Sequence, residues 1–145
     1  MNKNLYVLIH SPLVGGFTWS LVADEMRRRS LDVIIPFLDD SPASTEPYWK
    51  QHADSFAEAF VNVDKDIPIT LVAHSGAGPL LPVLRESIPN PVRAYVFVDA
   101  GIPQPTTRLD MMRSEDSNWA EQFQEFLEEG GRFPTWSSEE LSACG

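Results

Sequence analysis

Cysteine occurs once, at Cys144, so the chain can neither close an internal disulfide nor build a zinc site from thiols. Basic residues are scarce: 11 Lys and Arg stand against 21 Asp and Glu, a net charge of −10. The only dense basic run is Arg27-Arg28-Arg29, too little for a nucleic-acid footprint, and an anionic membrane surface would repel the chain. No apolar run approaches the roughly 20 residues of a transmembrane helix, and Leu5–Ile9 is too brief for a signal-peptide core. The expected partner is a small molecule, and the expected setting is cytoplasmic. Histidine is also rare. The three are His10, His52 and His74, and none follows position 74.

What remains is material for one core: 145 residues, 43% of them hydrophobic, punctuated by 12 prolines. Four short β-branched runs read as buried strands: Leu5–Ile9, Asp32–Phe37, Ile69–Ala73 and Ala94–Val98. They are continuously apolar, as suits a parallel sheet covered on both faces. Helical patterns lie between them. Phe17–Arg29 places Trp19, Val22, Ala23 and Met26 on one face, Tyr48–Val61 repeats Trp49, Phe56, Ala57 and Phe60, and Gly78–Ser87 is a shorter apolar helix. The alternation predicts an α/β fold with a mostly parallel open sheet of about four strands.

After Pro103 the composition shifts. Residues 104–145 hold nine acids against three bases and no strand pattern. Trp119, Phe123, Phe126 and Leu127 form a helical stripe, read as packing core rather than pocket lining, that ends at Gly130-Gly131. Two domains follow from this: an α/β core over 1–103 and a helical segment outside the sheet over 104–145. Asp39-Asp40 and Glu128-Glu129 read as solvated charges, without the spacing of metal ligands.

The chemistry-bearing stretch is Ile69-Thr-Leu-Val-Ala-His-Ser-Gly-Ala-Gly78, in which a buried strand runs through His74-Ser75-Gly76 straight into a helix. A nucleophile elbow needs this arrangement, with Ala73 and Ala77 small enough for the backbone to double back and Ser75 lifted at the carboxyl end of the sheet. Gly76 N–H would then face a developing oxyanion. The plainer alternative is a tight turn in which a small hydroxyl residue caps the helix.

A second segment, Val7-Leu-Ile-His10-Ser-Pro-Leu-Val-Gly15-Gly16-Phe-Thr-Trp19, is a strand, a glycine-bearing loop and an amphipathic helix. Together the two segments resemble the α/β-hydrolase superfamily, in particular its small esterase and hydroxynitrile-lyase-like branch, across residues 5–103. The helical segment over 104–145 falls where that family commonly carries a cap. His10, Gly15, Gly16 and Trp19 match that branch's loop, which forms half of the oxyanion hole. The resemblance implies a serine hydrolase of a small ester, amide or related carbonyl compound, with Ser75 as nucleophile and no cofactor or metal. Asp99, directly after a strand read as buried, stands where some members of the family place the acid that orients a histidine, while more place it after the following strand. The bland reading of Asp99 is a carboxylate that caps the turn over Gly101–Pro103.

Two departures qualify this. The branch's loop donor falls on Pro12, which has no N–H, so Leu13 N–H is the substitute, and Ser11 replaces a glycine. The triad histidine comes last in the family's chain order, yet none is left here. His10 reads as organising the loop, His52 as lying on a surface helix, and His74 as pointing away from Ser75. The chain therefore resembles the front part of a hydrolase and is expected to be nearly inactive alone. The alternative is a non-catalytic small-molecule-binding module or inactive fragment on the same scaffold. A four-stranded sheet would leave Ala94–Val98 at an edge, so self-association through that edge is expected.

Overall fold

The computed structural model describes residues 4–41, 43–104 and 117–129. The chain divides into two units, Met1–Pro103 and Gln104–Gly145. The first is a four-stranded sheet, β1 (Leu5–Ile9), β2 (Asp32–Ile34), β3 (Ile69–His74) and β4 (Val92–Val98), all parallel in the order β2-β1-β3-β4. Its helices are α1 (Ser20–Arg28), α2 (Tyr48–Glu58) and α3 (Leu81–Glu86). The described part of the second unit is α4, Ser117–Glu128. This helix carries the predicted stripe, of which Trp119, Phe123 and Leu127 lie outside the described side chains, as does Gly130-Gly131.

The alternating sides of the two central strands explain their unbroken apolarity. Leu5, Val7 and Ile9 of β1 and Ile69, Leu71 and Ala73 of β3 pack on Phe56 and Phe60 of the α2 region and Leu81 and Leu84 of α3. On the opposite face Leu8 and Val72 meet Trp19 and Ala23. Both faces are covered, so both sets of side chains are apolar.

The elements differ from the expectation where local chemistry intervenes. Pairing of β2 stops at Ile34, short of the predicted Phe37, because Pro36 lacks the N–H a ladder needs. The first helix opens as a 3-10 turn, Gly16–Trp19, before α1, and the third likewise as Ser75–Leu80 before α3. Helix α1 ends in a Schellman arrangement, with Ser30 N–H on Arg27 O (2.9 Å) and Leu31 N–H on Met26 O (3.1 Å). Ser30 takes the left-handed φ of 61° usual for glycine there. Val22 and Trp49, read as core-facing, are exposed, as are Leu21 and Phe17. Among the described residues no helix is long and apolar enough to cross a membrane, and no group of side chains could hold a metal ion.

Candidate active site

The strand order places the site. The chain goes from central β1 to β2 on one side, then crosses to β3 on the other. The carboxyl ends of β1 and β3 therefore flank a topological switch point, where open α/β sheets bind ligands. Ile9 pairs with Ala73 in register, so the loop after β1 and the turn after β3 leave the sheet side by side. Both segments singled out in the sequence meet at this crevice.

The turn after β3 is strained. Ser75 has φ of +52°, a left-handed conformation that costs an L-residue energy and persists only when its surroundings impose it. The following backbone supplies that constraint. A Cβ built on Gly78 would lie 1.9 Å from Gly101 O, so the 3-10 turn after Ser75 sits directly on the segment that follows β4. Gly101 N–H closes the contact by donating to Ser75 O at 3.2 Å. Asp99, in that same segment, is exposed and also left-handed, with φ of +44°. Ser75 and Asp99 thus stand on neighbouring strand ends whose turns are tied backbone to backbone. Gly76 lies in the first turn after Ser75, where N–H groups have no intrahelical acceptor.

The loop after β1 is held by its histidine. Leu38 N–H donates to His10 Nε2 at 3.2 Å, which assigns the lone pair to Nε2 and the proton to Nδ1. Nδ1 lies 2.8 Å from Ser11 O and donates to it. Val14 N–H donates to the same carbonyl at 3.0 Å. The His10 ring is buried against Phe37 and Gly16, whose missing side chain leaves room for Ile35 Cγ2 and His10 Cδ2. Leu13 N–H, the expected substitute donor, is engaged by Ser11 Oγ at 3.3 Å. Its neighbour Pro12 has no donor to offer. An oxyanion would have to displace the Ser11 hydroxyl to use Leu13.

None of the three histidines bonds Ser75 among the described residues. His74 turns its ring edge-on to Trp19, with centroids 6.0 Å apart, and its Nδ1 is buried without a hydrogen-bond partner among the described residues. His52 corrects the expectation of a surface position. It is buried on the inner side of α2, with Nε2 3.7 Å from Asp40 Oδ2. Asp40 itself is exposed, as expected of a solvated charge, with His52 beside it. The run Arg27–Arg29 is occupied within α1: Arg27 pairs with Asp24, and Arg28 and Arg29 pair with Glu25.

The far side of the His10 contact is held by residues that no motif in the sequence marks. Three polar side chains of α2 grip the chain after β2. Gln51 Oε1 accepts from Ser41 N–H (2.7 Å), His52 meets Asp40, and Ser55 Oγ accepts from Asp39 N–H (3.1 Å) while donating to Phe37 O (3.0 Å). The spacing of 51, 52 and 55 on one helix was the available signal, but it is a common one.

Parallel sheet, switch-point crevice and strained serine turn define a class: the chain has the fold of the α/β-hydrolase superfamily. Solved structures agree. An extracellular α/β-hydrolase from a Paenibacillus species, described as sharing structural and functional homology with tobacco salicylic acid binding protein 2, matches with a TM-score of 0.67 and 21% identity. That match covers 87% of this chain and 52% of the other. Polyneuridine aldehyde esterase matches with a TM-score of 0.62 and 17% identity, over 78% of this chain and 48% of the other. Among curated proteins, methylesterase 8 of Arabidopsis thaliana is 24% identical over 108 residues, 71% of this chain and 40% of its own. No family model matches. The chain spans about half the length of these solved structures and less of the curated relative.

Proposed function

We propose that this chain is the nucleophile-bearing part of a serine esterase acting on a small ester or related carbonyl compound. The observation that carries the reading is the left-handed φ of Ser75 at the switch point, locked by the Gly78–Gly101 contact. The names of the relatives, a methylesterase and an aldehyde esterase, favour an ester as the substrate class.

In this reading Ser75 Oγ attacks the carbonyl carbon and its proton passes to a base. The carbonyl oxygen, now an anion, is held by Gly76 N–H and, once freed from Ser11 Oγ, by Leu13 N–H. Collapse releases the alcohol as the base returns the proton to its oxygen and leaves an acyl group on Ser75; water, giving a proton to the same base, then releases the carboxylic acid and restores the hydroxyl. Asp99 orients the base as its imidazole gains charge. The base is the missing part: His10 has both ring nitrogens engaged, His52 lies on α2, and His74 packs on Trp19. The 145 residues are therefore nearly inert alone.

Supplying the base from solution tests this. The full chain is treated with a fluorophosphonate, with and without added imidazole, and the modified residue is located by peptide mass spectrometry. Slow labelling at Ser75 that rises with imidazole and vanishes in Ser75→Ala is expected. Labelling spread over exposed serines, with no imidazole-dependent gain at Ser75, overturns the reading. It would favour the second one, a binding module without turnover, for which Pro12 and the engaged Leu13 N–H speak.

A further inference from the structure

Between α2 and the loop beside Ser75 runs an unbroken chain of hydrogen bonds. Ser55 Oγ holds both peptide groups around Leu38, accepting from Asp39 N–H at 3.1 Å and donating to Phe37 O at 3.0 Å. Leu38, thus aligned and buried, presents its N–H to His10 Nε2 at 3.2 Å. His10 Nδ1–H reaches Ser11 O at 2.8 Å, and that carbonyl also receives Val14 N–H at 3.0 Å. The Ser11 side chain then takes Leu13 N–H at 3.3 Å. The links on either side of the imidazole agree only when His10 carries its proton on Nδ1: Nε2 accepts from Leu38 N–H, Nδ1–H donates to Ser11 O, and Val14 and Leu13 N–H converge on Ser11 from the other side.

We propose that Ser55 is a positioning residue for the loop after β1: by fixing Leu38 N–H it selects the Nδ1–H tautomer of His10, and through Ser11 O it sets where Leu13 and Val14 N–H stand beside Ser75. The link to catalysis rests on the serine-esterase reading above, while the tautomer claim stands without it. The physics is a choice between two states. An imidazole free of Leu38 N–H can place its proton on Nε2, and Nδ1 then faces Ser11 O as two acceptors with no proton between them. That contact breaks, and the loop loses the tie that opposes Val14 N–H. Ser55 lies a helix away from the crevice and touches no reacting atom, so its influence is indirect. Gln51 holds the same segment further along, accepting from Ser41 N–H, and keeps it in place when Ser55 is altered.

The test is ¹⁵N NMR of the full chain labelled at histidine and backbone nitrogen, which needs no activity. In the wild type His10 is expected to show a protonated Nδ1, an unprotonated Nε2, and a scalar coupling across the hydrogen bond from Leu38 N–H to Nε2. Ser55→Ala should lose that coupling, shift the ring toward the Nε2–H form and move the Val14 amide resonance. Ser55→Thr, which keeps the hydroxyl, should restore all three. A single Nδ1–H tautomer that persists in Ser55→Ala overturns the proposal. So does a wild type without the coupling, a measurement that holds even if the variant fails to fold. Failure of the esterase reading is distinguishable, because imidazole-dependent labelling of Ser75 would then be absent while the tautomer result stands.

Discussion

Ser75 holds a backbone conformation that only glycine adopts cheaply, and Gly78 occupies a place that only glycine can fill. These two residues make opposite predictions. For an L-residue the left-handed region costs about 1–2 kcal/mol, partly offset in Ser75→Gly by the larger entropy that glycine loses on folding. Ser75→Gly should therefore stabilise the chain by about 1 kcal/mol in thermal unfolding while abolishing labelling. Gly78→Ala should cost about 3 kcal/mol, lowering the melting temperature by on the order of 10 °C, because its Cβ would drive Gly101 O from the turn. An unchanged melting point in both variants would mean that the elbow is neither strained nor braced. That the strain sits on the one serine the motif selects, with Asp99 strained on the next strand end, is the kind of outlier that marks a working site.

At the scale of elements, the sequence was legible where one interaction dominates. The two central strands were readable because two covered faces demand apolar side chains throughout, whereas Ala94–Val98, read as buried from the same apolar run, is exposed in β4; the elbow was readable because small residues must surround Ser75. Legibility failed where a helix face is shared between core and loop. Trp49 and Phe56 both fall on the apparent apolar stripe of α2, yet Phe56 is fully buried between β1, β3 and Phe60 while Trp49 is half exposed. Periodicity marks a face but not which turn of the helix meets the sheet. His52 failed in the same way: a polar residue on a helix reads as outward, but here it turns inward to hold Asp40. The two aromatics give a direct test. Phe56→Ala should cost about 3–5 kcal/mol and leave a molecule on the verge of unfolding at 25 °C. Trp49→Ala should fall within about 0.5 kcal/mol of the parent in urea titration. Equal losses would place both side chains in one core, contrary to the structure.

For the molecule as a whole, β4 is the exposed strand of the sheet. Tyr95, Val96, Phe97 and Val98 alternate between the two faces of the sheet, and each is between 38% and 47% exposed. Among the described residues no strand pairs with the outer edge of β4. Beside it, Tyr95 and Phe97 with Leu81, Pro82, Arg85 and Pro103 border an open groove of about 390 Å³. Unpaired main-chain groups next to wet apolar side chains form a template for another strand. The proposed occupant is a second copy, and the charges at the two ends of the strand select its direction. Arg93 is exposed at the start and Asp99 just past the end, so antiparallel alignment of two β4 edges sets each arginine against the other copy's aspartate. Parallel alignment would oppose like charges. The net charge of −10 limits growth beyond a pair. Light scattering behind size-exclusion chromatography should show a mass rising from one chain toward two with concentration. Val96→Lys should return it to one chain with little change in melting temperature. Arg93→Asp should weaken the pair, and adding Asp99→Arg to it should restore the pair, which a merely sticky edge would not do. A single-chain mass at every concentration, with amides 94–98 protected from hydrogen exchange, would show instead that another segment covers this strand.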